Sequence, residues 1–198
     1  MSATVAAPAA PRSLTTPRMS GIRIVLVWTG LTLLAFPLGG LLGWAIGGHV
    51  DSVTPALIGG ALTGASIGLA QWILLRRDLA VSPAWIVATA IALAAGLAIG
   101  AAVVGYETDT GSLVIQGAIS GGAVGIAQGL VLRGRYSLWS AWIVAMPAMW
   151  ALGWFVTAAG GIAVENQFTV FGAYGAAAFG VVSGLLLMAG KRTQDHAA

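Results

Sequence analysis

The sequence predicts an all-α integral membrane protein: six transmembrane helices arranged as three tandem, parallel helical-hairpin repeats, with both termini on the cytoplasmic side. Three observations lead there. Of the 198 residues, 58% are hydrophobic and 8% charged, against roughly 25% charged in soluble domains. A water-exposed exterior would be largely apolar, and lipid is the fitting solvent. The apolar residues fall into six runs, each near the ~20 residues that cross a ~30 Å hydrocarbon core. All nine Lys and Arg residues lie outside those runs, in alternate breaks between them.

In chain order, residues 1–21 are rich in Ala, Pro, Ser and Thr, carry Arg12 and Arg18 and hold no acid, so they read as a disordered tail. The prolines oppose an amphipathic transit-peptide helix, and the apolar run that follows is longer than the ~7–15 residues of a cleaved signal core. It reads as an anchor. The spans are expected at Ile24–Gly48, Thr54–Leu75, Pro83–Gly105, Leu113–Leu132, Leu138–Val164 and Thr169–Ala189. They make up a membrane domain of residues 22–190, with hairpins at about 22–76, 83–133 and 138–190, and residues 191–198 form a second tail. No run alternates apolar and polar residues as a membrane β-barrel strand does. In lipid every backbone polar group must pair inside the protein, which leaves the helix.

The cations set the orientation. Arg12, Arg18 and Arg23 precede the first span, Arg76 and Arg77 separate the second from the third, Arg133 and Arg135 the fourth from the fifth, and Lys191 and Arg192 follow the sixth. The opposite breaks hold Asp51, Glu107, Asp109 and Glu165 with no Lys or Arg. The positive-inside rule places the cationic face in the cytoplasm, and the expected location is a bacterial plasma membrane. Trp72, Trp85, Trp139 and Trp142 fall near that face, where an interfacial aromatic belt is expected.

An internal duplication is visible in the register. Residues 60–76, GALTGASIGLAQWILLR, and 117–133, GAISGGAVGIAQGLVLR, match at 8 of 17 positions with an offset of 57. At the same offset the segment Ala84–Ala88 recurs as Ala141–Ala145, and one spacing held across a loop marks a repeat. A decayed third copy lies in span six, with Gly172, Gly180 and Leu185–Leu187 in frame and Ser183 in place of the glutamine. The odd spans show a fainter echo, Pro37 before Gly43 and Trp44, and Pro147 before Gly153 and Trp154. Gly60, Gly64 and Gly68, and equally Gly117, Gly121 and Gly125, form stripes without side chains that let a neighbouring helix approach closely. Gln71 and Gln128 lie on those stripes and are expected to face protein.

Few residues offer chemistry. Gln71 and Gln128 are candidates either to line a small-ligand pocket or to join helices by hydrogen bonds. Arg76 and Arg133, with Trp85 and Trp142, are candidate contacts for lipid headgroups, the bland alternatives being topology signals and belt anchors. Pro37 and Pro147 are expected to kink their helices. His49 and His196 lie outside the spans and make no metal site. The span interiors carry no Asp, Glu, Lys, Arg or His, which disfavours proton-coupled transport through carboxylates. There is no cysteine and no hydrolase, zincin or P-loop motif. No catalytic residue, metal or cofactor is expected, and nucleic acid is excluded for want of a dense basic patch.

With the pattern G-x-x-x-G-x-x-x-G-x-x-Q-[WG]-x-x-L-R at Gly60–Arg76 and Gly117–Arg133, the chain resembles a loose group of bacterial multi-pass membrane proteins built from repeated hairpins of this kind, from about Leu31 onward. The resemblance implies a fold and brings no activity with it. Size and span number are also similar to the substrate-binding subunits of energy-coupling-factor vitamin transporters, from which the threefold repeat departs. The leading expectation is a non-enzymatic membrane protein with a structural or assembly role, its partners being the bilayer and another membrane protein or a second copy. The alternative is a binding or transport subunit for a small solute or lipid, with its pocket near Gln71 and Gln128. An interfacial lipid enzyme is the weakest reading.

Overall fold

The computed structural model describes residues 21–164 and 172–190, and all its regular elements there are helices. They are α1 (Ile22–Gly47), α2 (Val53–Asp78), α3 (Ala84–Val103), α4 (Thr110–Leu132), α5 (Trp139–Ala159) and α6 (Gly172–Ala189). Helices α1 to α5 are long and apolar enough to cross a membrane, and α6 is a shorter apolar helix. Large apolar side chains point outward all round, Val144 at 77% exposed and Leu34 at 66% among them. Such a surface is suited to acyl chains and not to water.

Each helix packs against its neighbours in sequence, and α1 packs against α6, so the six close into a ring. Paired contacts run antiparallel: Gly39 lies against Thr63 and Gly43 against Gly59, while Gly60 lies against Ala94 and Gly68 against Ile86. At the closure Gly180 lies against Thr29 and Gly184 against Val25, again antiparallel. Up-and-down order with short connections gathers Arg23, Arg76, Arg77, Arg133 and Arg135 at one end of the ring, and Asp51, Glu107 and Asp109 at the other. Close approach depends on missing side chains. A Cβ at Gly64 would sit 2.6 Å from the Thr89 carbonyl oxygen, and one at Gly60 would sit 2.7 Å from the Ala94 Cα. Dispersion contact between backbones at this range is what holds helices together in lipid.

The helix ends differ from expectation by a few residues. Helix α5 stops at Ala159, not Val164, because the chain turns through Gly160 and Gly161, the latter at φ 74, a conformation glycine adopts without steric cost. Helix α4 begins at Thr110, three residues early, capped by the Asp109 carboxylate, which accepts from the N–H groups of Gly111 and Ser112. The hydroxyl and N–H of Ser112 hold the Asp109 carboxyl below its usual range. Helix α2 runs on to Asp78, with Arg76 and Arg77 in its last turn, where cations complement the helix dipole. Pro37 and Pro147 lie inside α1 and α5. The tails at 1–20 and 191–198, with His196, and the start of the expected sixth span at 169–171 lie outside the described residues.

Candidate functional site: an aromatic plug and a vestibule above it

A ring of six helices leaves a lumen, and its two halves are filled differently. In the cationic half three indoles spaced 57 residues apart, Trp28, Trp85 and Trp142, are each 0% exposed. Trp142 meets Trp28 edge-on at 5.9 Å between ring centroids and Trp85 at 6.4 Å. Burial of an indole requires an acceptor for its N–H. The preceding even helix supplies one to Trp85 and Trp142, and α6 closes the ring to supply Trp28. Trp85 Nε1 donates to Gln71 Oε1 at 3.3 Å, Trp142 Nε1 to Gln128 Oε1 at 3.1 Å, and Trp28 Nε1 to Ser183 Oγ at 2.7 Å. The two glutamines also join each other. Gln128 Nε2 donates to Gln71 Oε1 at 3.1 Å and to Thr89 Oγ1 at 3.0 Å, and Thr89 donates to the Trp85 carbonyl.

This corrects two expectations. Trp85 and Trp142 are interior, with no surface to offer a headgroup or an interfacial belt. A belt indole needs water for its N–H, whereas these have buried amides. Gly39, Gly96 and Gly153, 57 residues apart in sequence, approach Thr63, Ser120 and Gly175 closely. The sequence reading missed Trp28, although the spacing that marks Trp85 and Trp142 leads back to it. Gln71 and Gln128 are 1% and 0% exposed and do not line the cavity described next. Arg76 and Arg133 are exposed at the cationic end. Their guanidinium groups lie over the half-buried rings of Trp72, at 4.9 Å, and Trp139, at 5.6 Å, a cation–π arrangement.

The other half of the lumen is not filled. A cavity of about 300 Å³ opens there, bounded by side chains of α1 to α5 and by the loops at the acidic end. Its depths are Phe36, Leu93 and Trp150, and above them stand Gly40, Leu97 and Trp154; within each set the residues are 57 apart. Gln116 adds a buried amide to the wall. His49, Asp51, Tyr106 and Glu107 border it at the loops. Tyr106 is held at φ 63 directly after Gly105 at φ 62, an uncommon backbone state for a bulky residue. Phe36 lies eleven residues from the end of α1, so the cavity reaches roughly 16 Å into the ring, about half a bilayer core. Trp28 lies eight residues deeper, roughly 12 Å below, and the three indoles close the lumen beneath.

Two features of the cavity bear on ligands. Trp150 is 3% exposed and packs on Phe36 at 5.8 Å and on Phe179 at 5.9 Å. Among the described residues its Nε1 has no hydrogen-bond partner, unlike the indoles of the plug. Among the described residues no Lys or Arg lines the cavity, and Asp51 and Glu107 are both exposed at its border. In comparisons with known proteins, the chain matches no family model, no curated protein and no solved structure.

Proposed function

We propose that this chain is a non-enzymatic membrane protein of six spans, built from three parallel hairpin repeats, that binds a small, largely apolar solute in the vestibule. The cationic face is cytoplasmic, so the vestibule opens outward. The cavity of about 300 Å³ carries the reading. It is at the lower end of the range for ligand sites and has their composition, aromatic walls with a few polar groups. The buried plug beneath argues against a continuous pore. The stripes at Gly60–Gly68 and Gly117–Gly125 are taken up by α3 and α5 of the same chain, so a role in assembly with a partner finds less support in them.

The test is a thermal-shift measurement on protein in neutral detergent with indole, naphthalene and biphenyl as probes. It is run on the wild type and on Leu97→Trp, which puts into the wall the side chain found 57 residues later at Trp154. At ten times its dissociation constant a bound probe should raise the melting temperature by about 3 °C or more, and the variant should lose the shift. Absence of any probe-dependent shift in the wild type, or equal shifts in both proteins, would sink the proposal. The orientation is checked separately: a reporter fused after Glu107 must be found outside the cytosol.

A further inference from the structure

We infer that the vestibule selects organic cations, an aromatic body with an amine at one end. This rests on the reading of the cavity as a ligand site and adds which chemistry it takes.

Asp51 and Glu107 come from two different loops, and both line the cavity. Asp51 accepts one hydrogen bond from the neighbouring Ser52 at 3.1 Å, and its second carboxylate oxygen remains for a ligand. Among the described residues Arg23, Arg76, Arg77, Arg133 and Arg135 all lie at the opposite end of the ring, so no described Lys or Arg offsets this pair. Carboxylates at the mouth of a low-dielectric cleft concentrate cations and repel anions. Below them the rings of Tyr106, Trp154, Trp150 and Phe36 line the space. Aromatic faces attract an ammonium group as well as an apolar body, most strongly where water is excluded.

The roughly 16 Å depth leaves room for an aromatic body below the amine.

Three isosteric probes separate the charge from the cavity: 2-naphthylethylamine, the corresponding alcohol and the corresponding carboxylate. Binding is read by quenching of tryptophan fluorescence in neutral-detergent micelles, on the wild type, on the exposed-loop double variant Asp51→Asn/Glu107→Gln and on Leu97→Trp. The amine should bind about tenfold tighter than the alcohol and the carboxylate weakest. The amine's advantage should shrink with added salt and vanish in the double variant. Equal binding of all three probes, lost in Leu97→Trp, would overturn the charge selectivity and leave the vestibule standing. No binding by any probe, or binding that Leu97→Trp leaves intact, would overturn both.

Discussion

One methyl group added at adjacent positions of α4 should move stability in opposite directions. A Cβ at Gly121 would sit 2.6 Å from the Met146 carbonyl oxygen and 2.6 Å from the Trp150 Cβ, far inside the ~3.5–4.0 Å of a favourable contact. Neither neighbour can swing away, since one is backbone and the other is the root of a buried indole. Helices α4 and α5 must then separate by about 1 Å and forfeit the dispersion contacts that drive their association. Overpacking of this kind costs about 1–3 kcal/mol. Gly122 is about 100° further round the helix, and a Cβ there would meet only the Pro147 Cγ, at 3.8 Å. Removing a glycine from a helix interior is worth up to about 1 kcal/mol. That gain is common to both variants, so Gly121→Ala should be less stable than Gly122→Ala by the overpacking cost, about 1–3 kcal/mol. The assay is unfolding of each variant by sodium dodecyl sulfate in mixed micelles, followed by circular dichroism. Equal midpoints, or a higher midpoint for Gly121→Ala, would refute close backbone packing as the reason for the glycine stripe.

The glutamine network and the cationic-face loop give two more. Gln128→Leu removes the acceptor of Trp142 and the donor to Gln71 and Thr89. With each bond in lipid worth about 0.6 kcal/mol, the loss should be about 2 kcal/mol in the same unfolding assay. Ser183→Ala, which takes the acceptor from Trp28 and the hydroxyl bond to the Phe179 carbonyl, should cost about two thirds of that; an equal or greater cost would show that the glutamines do not act as a joint network. Tyr136, in the α4–α5 loop, is buried and donates to the Leu186 carbonyl. Burial pushes its phenol up to about 12 from the usual 10. A raised folded-state value means the neutral phenol favours the fold, so its contribution is complete below pH 10 and is lost as the pH rises from 10 toward 12. Tyr136→Phe should flatten that alkaline loss, and an unchanged pH profile would remove Tyr136 as its cause.

How much of this was legible follows from what lipid makes visible in a sequence. Gln71 and Gln128 announce the inside because an amide in hydrocarbon must find a partner, and glycines at every fourth position announce a close approach. Trp85 and Trp142 were misplaced because an indole suits an interface and an interior equally, and only the neighbour of its N–H decides between them. Trp28 belongs with them by spacing, but its acceptor, Ser183, is 155 residues away and is reached only when α1 closes on α6. The vestibule has no local signature at all, since it is the part of the lumen that side chains from five helices fail to fill.

The sequence by itself determined the apolar composition that suits lipid, the helical state, the approximate helix limits and the end at which Arg23, Arg76, Arg77, Arg133 and Arg135 gather. Those properties depend on composition and on charges read one segment at a time. The tertiary structure decided which faces point inward. In lipid the core and the exterior are both apolar, so no hydrophobic periodicity separates them, and the ring, its aromatic plug and its open half exist only once all the helices have met.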